Sequence, residues 1–393
     1  MKKLLTALVC LLAVCNGMCQ SRIKTHVPLD SIVLSDPCIL PDRATMTYYM
    51  TGTGGKLWKS KDLRYWDGPY TVTETDPESW MGPKPMIWAA ELHQYKGKYY
   101  YFATFTNQAV NVGRYKGNNL ERRACHVLVS DKAEGPYRPM KDETYLPADK
   151  LTLDGTLWVD TDGRPYMVYC HEWLQNWDGT IEKIELKPDL SGSIGKGKLL
   201  FKASASPWSR EVIEGDTLPN RVTDGPYLFR TQTGRLGMIW TSWIYNVYTQ
   251  GVAYSESGTL DGPWVQEEQP ITPPNFGHGM LFRTFDGELL MSIHSHKDIH
   301  GHYHRVPHLF KVDDSGDKIV VKKEYRKDLK GIWLFLSNPF FIPFLYILFQ
   351  NNPTSMFLSF LTFNPSSCFQ MPDGIVHRSL ANTKIIRNKG ISS

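Results

Sequence analysis

A surplus of charge of either sign is missing from this chain. Its 44 Lys and Arg stand against 40 Asp and Glu, leaving +4 across 393 residues, too little and too evenly spread for the electrostatic footprint of a nucleic acid binder. Cysteine is scarce too. Of the seven, Cys10, Cys15 and Cys19 crowd the N-terminus, and Cys38, Cys125, Cys170 and Cys368 are spaced too widely for a disulfide framework or a zinc site. Between Asp30 and Tyr325 no apolar pattern keeps a helical period beyond two turns, which disfavours an α/β barrel. An unbroken membrane-length run is also lacking. Ile332 to Phe349 approaches the roughly 20 apolar residues a span needs, but Pro339 and Pro343 interrupt it. No stable membrane partner is expected.

What the chain does have is aromatic side chains: 12 Trp, 20 Tyr and 17 Phe, beside 31 Gly and 25 Pro. That is a composition of short strands and tight turns. Aromatic rings fill sheet cores, and in open clefts they also carry the flat apolar faces of sugars, so carbohydrate is the candidate partner. At the N-terminus, Lys2 and Lys3 precede an apolar run from Leu4 to Val14, followed by small or neutral residues around Gly17 to Cys19. This is the layout of a secretory leader over 1–19, and it predicts a secreted or periplasmic protein acting as a monomer. At the other end, Ile332 to Met371 holds no charged residue and shows neither strand nor helix periodicity. The segment 331–393 reads as an atypical tail, foreign to the domain before it.

Between these ends a hairpin pattern occurs five times: an entry residue, an apolar strand, a turn with Gly or Asp, and a second apolar strand. The copies run from Asp36 to Met50, Glu91 to Phe105, Asp154 to Cys170, Asp224 to Ser242 and His278 to His294. A second element follows three of them, running from a Ser through a turn to Gly-Pro-aromatic: Ser60 to Tyr70, Ser130 to Tyr137 and Ser255 to Trp264. Ile184 to Gly192 takes the same place after the third hairpin. Loosely regular units of this size predict an all-β, five-bladed β-propeller over residues 30–325. In a propeller the first strands line the central channel and run the same way. Asp36, Glu91, Asp154, Asp224 and His278 are therefore expected to ring one mouth. Several carboxylates in one concave site push each other's pKa values apart, as glycoside hydrolysis requires, and opposite channel walls suit the roughly 6.5–9.5 Å separation that gives inversion.

The residues that carry these motifs also resemble a known family. Ser35 to Leu40 (SDPCIL), Ile87 to Phe102, Leu153 to Tyr169, Thr223 to Phe229 and Phe276 to Met280 (FGHGM) together are similar to glycoside hydrolase family 43. Its members are five-bladed propellers acting on arabinofuranosides, xylosides and related plant glycans. The resemblance implies an inverting exo-acting glycosidase, with α-L-arabinofuranosidase ahead of β-xylosidase. It implies Asp36 as the general base and Asp154 as the carboxylate that orients the acid and raises its pKa. The family's acid is a Glu opening the fourth blade in Glu-Gly-Pro, whereas here the triplet is Asp224-Gly225-Pro226. Asp224 is the first candidate for the acid, and Glu172, where the third blade returns to the mouth, is its rival. The weakened triplet also leaves open a non-catalytic carbohydrate-binding propeller. The family further implies a calcium or sodium ion in the channel, with His278 as its protein ligand. The later histidines, from His294 to His308, do not form a zinc pattern. Trp88, Trp173 and Trp243 are the stacking candidates, and Glu91 and His278 complete the expected substrate-binding set.

Overall fold

The computed structural model describes residues 22–325 except 116, 213, 215–219 and 300–301. The expected leader and the tail from 331 lie outside the described residues.

Five antiparallel sheets follow one another along the chain and form a five-bladed β-propeller. Blade 1 consists of Cys38–Asp42, Thr47–Thr51, Lys56–Ser60 and Tyr65–Thr71. Lys24–Pro28 pairs with the last of these as a fifth, outermost strand, so the propeller begins upstream of the expected residue 30. Blade 2 contains Met86–Tyr95, Lys98–Tyr115, Asn118–Ser130 and Arg138–Pro139, and blade 3 contains Thr152–Val159, Pro165–His171, Thr180–Leu186 and Ser193–Lys202. Blade 4 is Asp224–Arg230, Leu236–Ile244, Val247–Ser255 and Trp264–Gln266. Blade 5 is Phe276–Arg283, Leu289–Ile299, His302–Asp313 and Val320–Glu324. The Gly-Pro-aromatic elements lead into the outer strands of blades 1, 2 and 4, and their Gly68-Pro69, Gly135-Pro136 and Gly262-Pro263 bonds are all cis. Among the described residues the only α-helix is the short Trp173–Asn176.

A middle strand of a blade is covered on both faces, so it reads as a nearly continuous apolar run rather than an alternation. Tyr99 to Phe105 shows how the period of two survives inside such a run. Tyr99, Tyr101, Ala103 and Phe105 pack towards blade 1, while Tyr100 and Phe102 pack towards blade 3. Each of the five interfaces between neighbouring blades has its own apolar cluster. Among the described residues no strand is exchanged to close the ring. Blade 5 instead meets blade 1 through Phe282, Leu290 and Leu309, packed against Ile39, Tyr48, Met50 and Trp58. Two hydrogen bonds stitch the same seam: Leu34 N–H to the Arg305 carbonyl at 3.0 Å, and Ser292 Oγ to the Pro37 carbonyl at 2.6 Å.

Because apolar side-chain packing, with a few hydrogen bonds, completes the circle, this seam should be sensitive to cavities. Phe282→Ala is expected to cost about 3–5 kcal/mol in chemical denaturation. A loss below about 1 kcal/mol would show that closure does not depend on this apolar contact.

Candidate active site

The inner strands of blades 2 to 5 carry the same irregularity at their heads. The ladders to the second strands skip residues between Trp88 and Glu91, Leu153 and Thr156, Asp224 and Tyr227, and Gly277 and Met280. In each bulge one residue takes left-handed backbone: Ala89 (φ 43°), Asp154 (52°), Gly225 (47°) and His278 (53°), with Asp36 (58°) at the matching place in blade 1. These bulges aim side chains into the channel mouth.

Register therefore corrects one expectation. The blade 2 counterpart of Asp36 and Asp154 is Ala89, and Glu91 lies two residues further along, in register with Thr156, Tyr227 and Met280. Glu91 does not reach the mouth. It is 1% exposed and accepts hydrogen bonds from Thr156 Oγ1 at 2.7 Å and from His93 Nε2, also at 2.7 Å. The other eight candidates, Asp36, Trp88, Asp154, Glu172, Trp173, Asp224, Trp243 and His278, line a single cavity of about 470 Å³.

His278 is the hub of the charged cluster. Its Nδ1 lies 3.3 Å from Asp36 Oδ1 and 3.4 Å from Asp224 Oδ1. Burial alone would lower its pKa, but Asp36, Asp224 and Asp154 reverse that and bring it up to about 10. Asp36 accepts a hydrogen bond from Thr53 Oγ1 at 2.5 Å and has the Arg305 guanidinium 3.8 Å away. Asp154 accepts the Gly225 N–H at 3.1 Å. Burial first, and then the neighbouring Asp224 charge, push Asp154 well above the usual carboxylate range. Asp224 goes the other way. Its enclosure opposes the charge, but the hydrogen bond from Asp154, the charge on His278 and the Tyr248 hydroxyl hold it low. The Asp154–Asp224 pair thus keeps one proton, carried on Asp154 and shared towards Asp224.

Asp224 stands one residue ahead of the left-handed position in its strand, and the reason is steric. A Cβ on Gly225 would meet His278 Cδ2 at 2.7 Å and Cγ at 2.8 Å. The bulge residue of blade 4 must therefore be glycine, and the carboxylate comes from its neighbour. That side chain is 25% exposed against 8% for Asp36.

Glu172 borders the same cavity but is already engaged. Its Oε2 receives Arg123 Nη1 at 3.0 Å, and burial raises its pKa while Arg123 partly offsets the rise. Arg123 also lies over the Trp88 ring at 4.3 Å, so that face of Trp88 is not open to a sugar. Trp173 is braced edge-on by Tyr115 at 5.7 Å, and Trp243 leans on Tyr248 at 5.0 Å. Tyr248, Thr53, Arg123 and Arg305 also line the cavity and are not among the residues predicted from the sequence. They lie at the mouth ends of second and third strands, which the pairing Trp243↔Tyr248 and His296↔Arg305 would reveal once register is counted from the entry residue. Asp154, Asp224 and His278 each offer a ligand atom within 4.8 Å of the others. The Nε2 of His278 is buried with no hydrogen-bond partner, which suits an ion or water held in the channel.

A propeller whose mouth gathers three aspartates around one histidine, walled by tryptophans, defines a carbohydrate-active class of site. The family model for glycosyl hydrolases family 43 matches residues 26–317, and the chain belongs to that family. An extracellular endo-α-(1→5)-L-arabinanase of Thermotoga petrophila is 29% identical over 223 residues, covering 50% of this chain and 45% of the relative. The chain thus aligns with about half the length of that curated relative. Among solved structures, an endo-arabinase from Bacteroides thetaiotaomicron is 32% identical over 78% of this chain and 99% of its own, with a TM-score of 0.63. An α-L-arabinofuranosidase from Lactobacillus brevis, 19% identical, shares the fold over 77% of this chain and 100% of its own at a TM-score of 0.55.

The shared proton gives a stability prediction with a definite sign. A carboxyl whose folded pKa lies above its unfolded value stabilises the fold at low pH, and that contribution is lost as pH rises through the unfolded and then the folded pKa. Asp154→Asn removes the penalty at neutral pH. Its amide can still donate to Asp224 and accept from Gly225. The variant should melt about 2 °C or more above the native protein at pH 7, with the gain shrinking towards pH 4. An unchanged or lower Tm at pH 7 would contradict the raised pKa.

Proposed function

We propose that this protein is an inverting hydrolase that cleaves α-1,5-linked arabinan internally, in place of the end-trimming expected from the sequence. The observation that carries hydrolysis is the convergence of Asp36, Asp154 and Asp224 on His278 in one cavity. The choice of arabinan rests on the likeness to the two arabinan-cleaving enzymes. Asp36 acts as general base. Thr53 holds its carboxylate, with Arg305 and His278 alongside, in the mouth where it takes a proton from water. Asp154 stores the proton, and Asp224, the more open member of the pair, delivers it to the leaving oxygen. The bond from C1 to the leaving oxygen breaks as water attacks from the opposite face. Water gives its proton to Asp36 while the leaving sugar gains one from the pair, so protons balance. Trp173 and Trp243 are the proposed stacking surfaces. A calcium or sodium ion would be held at Nε2 of a neutral His278, taking the place of the proton that the three aspartates otherwise keep on the ring, and when bound it would supply fixed positive charge in the channel. The leader and the extracellular relative together support export from the cytoplasm.

On linear arabinan, oligosaccharides should appear before free arabinose, and proton NMR should show the inverted anomer first. Asp36→Asn should lower turnover by at least roughly 10²–10⁴-fold. Arabinose as the sole early product would overturn internal cleavage, and substantial activity of the Asn variant would overturn the base.

Burial of Glu172 keeps a second reading of the proton donor alive, and leaving-group chemistry separates the two. Asp224→Asn should lose at least ~10²-fold on natural glycosides and recover most of it on a dinitrophenyl glycoside, whose leaving group needs no proton. Glu172→Gln should weaken both substrates about equally. The reverse pattern would make Glu172 the donor.

A further inference from the structure

The left-handed residues at the mouth each present a backbone N–H sideways, towards the preceding blade. In blades 2, 4 and 5 the residue that receives it stands on the second strand, opposite the residue just before the bulge, and in blade 1 it is Thr53, just beyond the second strand. Thr53 Oγ1 accepts from Ala89 at 2.9 Å, Thr104 Oγ1 from Asp154 at 2.9 Å and Thr241 Oγ1 from His278 at 2.8 Å. At the seam between blades 5 and 1 the threonine is replaced by His294, whose Nδ1 accepts the Asp36 N–H at 3.0 Å. The pairings Trp88↔Thr104, Asp224↔Thr241 and Gly277↔His294 fix these as equivalent positions. The fifth place belongs to Cys170, opposite Leu153. There the Gly225 N–H turns instead to the Asp154 carboxylate.

We propose that His294 is a positioning residue for Asp36: as the seam member of this interblade ring, it holds the backbone of Asp36 in the left-handed conformation that aims the carboxylate at the attacking water. The inference rests on Asp36 being the base.

Several features fit this role. His294 is 0% exposed, and burial together with Arg305 drives its pKa well down, so it is neutral. With Nδ1 accepting, its proton sits on Nε2, which has no hydrogen-bond partner. At the mouth the Nδ1 of the imidazole meets Asp36 alone, accepting its N–H at 3.0 Å and lying 3.4 Å from its Oδ1. An aspartate at φ 58° is uncommon and persists only where its surroundings dictate it. The ring stacks on Tyr248 at a centroid distance of 5.5 Å, which fixes the plane of the acceptor. A misplacement of the order of 1 Å in a reacting group can cost about 10²-fold in rate without touching substrate affinity.

Thr and Val differ in the acceptor but scarcely in shape, and both leave the same space where the imidazole was. His294→Thr and His294→Val are compared on linear arabinan, beside Asp36→Asn, with Tm recorded for each. The expected result is that His294→Thr, which restores the residue used elsewhere in the ring, keeps a kcat at least ~10-fold above that of His294→Val. The two should melt within a few degrees of each other and have KM values within about threefold. Equal kcat values, or failure of both variants to fold, would make His294 a packing residue and overturn the proposal. An active Asp36→Asn would instead bring down the assignment of the base, whatever His294 does.

Discussion

The geometry of the mouth depends on one backbone constraint, the left-handed residue at the head of each inner strand. A residue with positive φ cannot give its N–H to the ladder of its own blade, and a buried N–H without an acceptor is costly. The neighbouring blade supplies that acceptor, so each blade's functional residue is set by the blade before it. Apolar clusters hold the blades together at the interfaces, but these hydrogen bonds fix their rotation about the channel at the level where the chemistry occurs.

The same constraint separates two layers in the channel. The left-handed residues Asp36, Asp154 and His278 face the mouth and one another. Two residues on, Glu91 and Thr156 bond to each other beneath them, and that layer is enclosed. Carboxylates occur in both, with different consequences. In the upper layer, repulsion between Asp154 and Asp224 is relieved by sharing a proton, which leaves a dissociable proton at the mouth. In the lower layer, Glu91 is held through Oε2 by a hydroxyl and an imidazole and lies buried beneath the mouth.

Much of this was legible in the sequence, because hairpins with turn residues at set places and entry residues of one type recur five times. The hairpins, the Gly-Pro turns and the placing of four of the five entry residues in one cavity follow from that repetition. Glu91 was misread because acidic type was taken as the marker of position. In blade 2 the bulge residue is Ala89, whose side chain carries no chemistry to flag it, and the strand starts earlier, at Met86. Tyr248 and Arg305 stayed hidden for a different reason. They enter the site from third strands, and only pairing register brings them there. The engagement of Glu172 by Arg123 joins residues 49 positions apart in different blades, a contact that strand periodicity does not encode.

The departure from Glu to Asp at the head of blade 4 also has a steric context. His278 projects across the channel so closely that its neighbour in blade 4 must be Gly225. That glycine displaces the blade 4 carboxylate by one residue, out of the ring position that Asp36 and Asp154 occupy and towards solvent. A side chain set nearer the opening needs less length to reach it, so the missing methylene of Asp224 is offset in part by where its Cα stands. Shortness has an electrostatic side as well. The carboxylate stays within reach of the Tyr248 hydroxyl and the His278 ring, both of which favour its ionised form and leave the resting proton on Asp154. In the proposed mechanism, delivery of that proton requires the Asp154–Asp224 hydrogen bond, which would tie the proposed acid of blade 4 to the backbone of blade 3 held by Thr104.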